Sequence, residues 1–184
     1  MSAWVERLAK RRIAVAYLYV PVFFWLARPT AVSLGLGSVP ALIGLGLRLW
    51  ASGYLRKGEV LATGGPYRFC RNPLYLGSFL LLLSFAIGSA SWWLLWLSPP
   101  LFLLFYLPTM WREEAELEQR FGAAYRDYKS RVPRWVPGWP KQSGPSPGWS
   151  WERVRRHREP ATTAIALIAY LLLILKGWLL PLFS

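Results

Sequence analysis

Histidine and cysteine are almost missing from this chain: His157 and Cys70 are the single examples in 184 residues. A lone cysteine excludes an internal disulfide and a cysteine-built metal centre, and a lone histidine excludes a histidine-rich one. No metal is therefore expected. Acidic residues are scarce as well, 9 Asp and Glu against 22 Lys and Arg, which leaves a net charge of +13. Basic charge on that scale suits nucleic acid or an anionic membrane surface. What is abundant decides between them. Hydrophobic residues make up 54% of the chain, Trp occurs 12 times, and the mean hydropathy is +0.27. The basic residues flank long apolar runs, as they do where loops meet lipid headgroups, so membrane lipids rather than nucleic acid are the expected partner.

Five apolar segments emerge, at 13–27, 30–55, 74–90, 91–111 and 161–183. About 20 residues are needed to cross a hydrocarbon core of ~30 Å, so the second, fourth and fifth are long enough and the first and third are short. The first begins with Arg7 to Arg12 like a secretory leader, but no small-residue cleavage site follows. The third and fourth meet at Gly88, Ser89, Ala90 and Ser91, followed by Trp92 and Trp93, which reads as a helical hairpin with an interfacial aromatic belt. Pro99 and Pro100 are expected to kink its second arm. The expected fold is all-α: an integral membrane bundle of about five transmembrane helices.

Of the 22 Lys and Arg, 19 fall before residue 13, within 56–73, or within 112–160. If these stretches share one face, it is cytoplasmic by the positive-inside rule, with the N-terminus inside and the C-terminus outside. Arg48 lies inside the second segment, where snorkelling to the cytoplasmic end is favoured over a buried functional role. The expected organisation is a core over 1–137, containing two N-terminal helices, a loop at 56–77, a hairpin at 74–111 and a cytoplasmic helix at 113–133. A linker and basic juxtamembrane segment at 138–160 and a C-terminal transmembrane helix at 161–184 follow. The sequence PGWPKQSGPSPGWS has little helical tendency, WERVRRHREP is expected near anionic headgroups, and His157 within it reads as solvated.

Two polar stretches carry the candidate chemistry. GGPYRFCRNPLYLG, residues 64–77, combines glycines, prolines, tyrosines and arginines between apolar runs, more than a connector requires. EEAELEQRFGAAYRDYKSRVP, residues 113–133, places Leu117, Phe121, Tyr125 and Tyr128 on one helical stripe, with Glu116 and Arg120 spaced to pair. Taken singly, Tyr67 and Tyr75 suit interfacial anchors, and Arg68 and Arg71 suit lipid phosphate. The stripe suits a helix resting on headgroups. Glu113 and Glu114, set where a membrane helix emerges among basic residues, can instead orient a cation or a ribose hydroxyl pair.

These two motifs, in this order around a hairpin, resemble the isoprenylcysteine carboxyl methyltransferase family, its bacterial relatives and the phospholipid methyltransferases. The resemblance covers about residues 45–137. It implies an integral membrane enzyme that binds S-adenosyl-L-methionine and releases S-adenosyl-L-homocysteine after in-line transfer of the methyl group. The implied cofactor contacts are Glu59, Val60, Leu61, Ala62, Tyr67, Asn72, Pro73, Leu74, Tyr75 and Glu113. Two positions depart from the family pattern: Asn72 stands where His is usual, and Thr109 stands where prenylcysteine enzymes carry a substrate-binding Arg. The implied acceptor is a lipophilic small molecule or lipid, with carboxylate, phospholipid amine and thiol all open. Arg112, Arg131 and Arg134 are candidates to hold an anionic acceptor, and no residue is assigned to the chemical step. A membrane scaffold for anionic lipid and an NADPH-dependent sterol reductase are the alternatives.

Overall fold

A computed structural model describes residues 18–56, 59–139 and 148–179, and all regular structure among them is helical. Helix α1 covers residues 18–26, α2 Ala31–Tyr54, α3 Pro73–Gly88, α4 Trp92–Phe121, α5 Ala123–Arg131, α6 Trp151–Arg156 and α7 Glu159–Leu179. A single 3₁₀ turn, Gly65–Arg68, lies in the loop before α3. The expected start of the first segment, both chain ends and residues 140–147 of the linker fall outside the described residues.

Three helical stretches, Ala31–Tyr54, Trp92–Arg131 and Glu159–Leu179, are long and apolar enough to cross a membrane, and α3 is a shorter apolar helix. Their surfaces agree with lipid surroundings. Leu42 and Ile165 are 70% and 68% exposed, a distribution that water would penalise and hydrocarbon does not. Pro99, Pro100 and Pro108 lie within α4 without ending it, as neighbouring helices in a membrane allow.

The chain divides into two compact units. The first takes the described residues to Leu42, Phe79–Trp111 and those from Ala166. Phe23, Ala27, Leu94 and Leu173 form its buried core, with Tyr19, Phe24, Leu34 and Phe85 packed around them. Its polar groups are paired internally: Ser33 Oγ donates to the Gly88 carbonyl at 3.0 Å, and Tyr170 to the Leu34 carbonyl at 2.6 Å.

The second unit, Ile43–Ser78 and Arg112–Ile165, holds both polar motifs. Within it α3 approaches α2 closely. A Cβ on Gly77 would lie 2.6 Å from Arg48 Cγ and 2.8 Å from the Gly44 carbonyl, so only glycine fits there, as at small-residue crossings of membrane helices. Arg48 does not snorkel. Its guanidinium meets Glu159 at 2.7 and 3.1 Å and also donates to Ser78 Oγ and the Leu74 carbonyl. Glu159, at the first position of α7, is buried, and a partner carboxylate inside the fold outweighs the pull of distant headgroups.

The expected helix over 113–133 is two helices. Gly122 has φ +52° and ψ −121°, backbone angles that side-chain-bearing residues avoid, and it interrupts the helix between α4 and α5. The linker expectation also changes at its described end. Ser150 N–H donates to the Gly53 carbonyl at 3.0 Å, and Arg153 Nε donates to the same oxygen at 2.7 Å. His157 is half-buried rather than solvated, with Nε2 2.9 Å from the Leu55 carbonyl. These contacts satisfy carbonyls at the C-terminal end of α2, which the helix itself leaves without donors.

Candidate functional site

In the 64–77 loop, the φ-restricted Pro66 is the second residue of the 3₁₀ turn that Gly65 begins. The turn closes through Tyr67 N–H to the Gly64 carbonyl and Phe69 N–H to the Pro66 carbonyl, both at 3.1 Å. Pro73 then opens α3 at its first position, where a missing N–H costs nothing. Arg71 N–H donates to the Pro133 carbonyl, and Gly138 N–H to the Phe69 carbonyl, each at 2.9 Å. The loop is thereby sewn to the segment after α5. Tyr128, from α5, adds a buried bond from its hydroxyl to the Tyr67 carbonyl at 2.8 Å.

The stripe read from periodicity does not rest on headgroups. Tyr125, Tyr128 and Val132 form a buried cluster with Leu61, Leu117 and Phe121 packed against it. Leu61 comes from the stretch before the loop, so the stripe fixes the two motifs to each other. Ala51, Ala62 and Tyr67 form a second cluster with Tyr54, Leu55 and Leu74.

Above these clusters lies a cavity of about 780 Å³, within the range of small-molecule sites. Val60, Leu61, Ala62, Tyr67, Asn72, Pro73, Leu74, Tyr75 and Glu113 all line it. Glu59 does not; it lines an adjoining cavity beside α6 that shares Leu55 and Arg56 with the first. Of the candidate acceptor-binding arginines, Arg112 lines the cavity and pairs at 3.5 Å with Glu116, one turn further along the helix. Arg131 pairs with Asp127 on the exposed side of α5 and does not line the cavity. Arg134 is committed to Glu114, at 3.1 and 3.2 Å.

Glu114 is the residue that sequence reasoning undervalued. Its side chain is buried and gathers Arg71 at 3.4 Å, Arg134 and the Asn72 amide at 2.9 Å. Asn72 Nδ2 also donates to the Arg134 carbonyl at 3.1 Å, so both amide hydrogens hold the protein together and the side chain's remaining capacity is that of an acceptor. The signal for this role was the second Glu itself, since a buried acid in so basic a chain has arginines to find.

Two donors in the cavity wall lack good acceptors. The Tyr125 hydroxyl and Arg71 Nε are buried beside each other without a well-formed hydrogen bond to protein. Even if Tyr125 accepted from Arg71, its own hydrogen would need another acceptor. Burial pushes the Tyr67 phenol above its usual value, with Cys70, Glu113 and Glu159 adding to the effect, so it remains a protonated donor at neutral pH. Cys70 is buried and its thiol is pushed up to about 11, chiefly by burial. It is a packing residue rather than a nucleophile.

Long apolar helices beside a polar, carboxylate-bearing cavity are the features of an integral membrane protein. Residues 22–124, more than half of the chain, match the phospholipid methyltransferase family, and the chain belongs to that family. It is 35% identical over 104 residues to the nickel-cobalt-cadmium resistance protein NccN of Alcaligenes xylosoxydans xylosoxydans, covering 55% of this chain and 47% of the relative. It is 29% identical over 142 residues to the cobalt-zinc-cadmium resistance protein CzcN of Cupriavidus metallidurans, covering 72% and 64%. Protein-S-isoprenylcysteine O-methyltransferase of Mus musculus is 36% identical over 87 residues, covering 43% and 28%. The chain thus spans between about a quarter and two thirds of the length of these relatives. No solved structure matches. Among the described residues, no three His, Cys, Asp or Glu side chains gather as metal ligands.

Proposed function

We propose that this membrane methyltransferase uses S-adenosyl-L-methionine, binds it in the 780 Å³ cavity, and methylates a lipophilic or amphiphilic acceptor at the cytoplasmic face. The observation that carries the reading is the convergence on one cavity of residues 60–62, 67 and 72–75, before the hairpin, with residue 113, after it. The donor set suits the cofactor. It carries a carboxylate and ring nitrogens that accept hydrogen bonds, ribose hydroxyls that do both, and a sulfonium charge; when bound, it supplies an activated methyl group to a nucleophile.

The protein's own contribution is positioning. Tyr125, Tyr67 and Arg71 offer donors. The N-terminal turn of α3 lines the cavity at Leu74, and the positive end of a helix dipole favours an anionic group. Glu113 and the Asn72 oxygen accept from hydroxyl or ammonium groups. A tight hold on the sulfonium would stabilise the ground state, because that charge disappears on methyl transfer; Glu113 therefore orients rather than drives. Arg112 and Arg120 line the same cavity, where their charge suits an anionic acceptor.

The acceptor differs from a prenylcysteine carboxylate held in the usual family manner. Thr109 is buried and donates to the Phe105 carbonyl at 3.1 Å, and it carries no charge to pair with a carboxylate. A phospholipid amine is the favoured specific acceptor, since the phosphate of such an amphiphile suits the arginines. Two measurements test the reading. Calorimetry should detect binding of S-adenosylhomocysteine and not of NADPH, and radiolabelled methyl groups should enter extracted lipids. Labelling of farnesylcysteine alone would sink the acceptor assignment; binding of neither cofactor would sink the whole reading.

A further inference from the structure

A second cavity, of about 370 Å³, lies beside α6, lined by Arg56, Glu59, Glu152, Arg153, Arg156 and His157 together with Leu55. Its α6 wall lies outside the part of the chain matched to the family, and nothing in the proposed methyl transfer uses it. Some of its basic groups have structural duties. Arg153 donates to the Gly53 and Gly148 carbonyls, and His157 meets the Leu55 carbonyl, so both close the end of α2. Arg56 and Arg156 close no helix end and are exposed; Arg156 lines this cavity alone, while Arg56 stands where it adjoins the first.

The location identifies the occupant. α2 ends at Tyr54 and α7 begins at Glu159, and both are long and apolar enough to span a membrane. The His157 contact to Leu55 brings these two ends together, so the cavity opens where two spans leave the hydrocarbon. Beside it Trp149 and Trp151 are each 45% exposed, 5.9 Å apart, and the Arg155 guanidinium lies 6.0 Å over the Trp151 ring. Half-exposed indoles beside arginines are suited to the headgroup layer, where one edge is apolar and the other wet.

We infer that this cavity seats the headgroup of an anionic phospholipid, a phosphodiester bearing free hydroxyls. Arg56 and Arg156 hold the phosphate, as guanidinium forks do. Glu59 and Glu152, which would repel a bare phosphate, accept hydrogen bonds from the glycerol hydroxyls. Both signs of charge at the site thereby find a partner on one ligand. Phosphatidylglycerol has this chemistry; phosphatidylcholine has the phosphate but no hydroxyl donors.

The test uses the full-length protein in detergent, with thermal stabilisation and native mass spectrometry as readouts. Phosphatidylglycerol should bind in preference to phosphatidylcholine, and Arg56→Gln and Arg156→Gln should each weaken its apparent affinity about fivefold, the effect of one arginine at an anionic surface. Arg126→Gln, an exposed arginine of α5 away from both cavities, should leave binding unchanged. Equal loss in Arg126→Gln would overturn the seat in favour of diffuse attraction. Saturation by soluble glycerol phosphate with no preference for the lipid would overturn the membrane assignment. If Arg156→Gln fails to fold, Glu152→Gln provides the alternative: it should reduce the preference for phosphatidylglycerol over phosphatidic acid, and no change in that preference also overturns the proposal.

Discussion

Glu113 and Glu114 are adjacent in sequence and differ in what surrounds them. Both line the cavity, but Glu113 is partly exposed there, whereas Glu114 is buried among Arg71, Arg134 and Asn72. Glu113→Gln should therefore weaken S-adenosylhomocysteine binding about tenfold by calorimetry, the loss of one charge-assisted bond, with the melting temperature unchanged. Glu114→Ala leaves two cations without their partner and should cost about 3 kcal/mol, at the low end for a broken buried pair, because Arg134 is 40% exposed. Cys70 gives a pH prediction. Its thiol moves from 9.0 to about 11 on folding, so the folded state holds the proton more tightly. Its contribution is complete below pH 9 and is lost as pH rises from 9 to 11, by about 3 kcal/mol in all. Denaturant titrations of the protein and of Cys70→Ala should diverge across that window, and Cys70 should resist alkylation until unfolding.

At the scale of elements, Arg48 and Glu159 join α2 to α7 through a buried pair. Glu159→Ala should destabilise the protein by about 3–5 kcal/mol, since it strands a charge in apolar surroundings. The double change Arg48→Met, Glu159→Leu should recover most of that loss, because no unpaired charge remains; thermal unfolding in detergent checks both. Element boundaries were legible where apolar composition set them: the hairpin turn at Gly88 to Ser91 and the span α2 needed only segment length and small residues. The break at Gly122 was harder to see, because the stripe of Leu117, Phe121, Tyr125 and Tyr128 keeps a helical rhythm across it. Periodicity reports which residues seek a core, and a break between two helices can preserve that list.

For the whole molecule, the expected topology has five spans, with the N-terminus cytoplasmic and the C-terminus opposite. Labelling of single cysteines placed at residues 2 and 183, in a Cys70→Ala background, should find them on opposite faces; the same face would overturn the five-span count. Ligand linkage gives a global readout of the proposed site. S-adenosylhomocysteine at 100 times its dissociation constant should stabilise the protein by about 2.7 kcal/mol, and Glu113→Gln should reduce that gain at fixed ligand concentration.

Composition and order alone determined that this protein is helical, membrane-embedded and carries two polar motifs around a hairpin, because lipid permits few backbone solutions and apolar run length reports them directly. Only the tertiary structure decided which charges meet. Arg48 with Glu159, and Glu114 with Arg71 and Arg134, are pairs separated by 111, 43 and 20 positions, and charge in a sequence gives sign without address. Burial supplied the address: once packing removes water, each charged group must find its partner within the fold, and that requirement separated the buried Glu114 that organises the loop from its partly exposed neighbour Glu113.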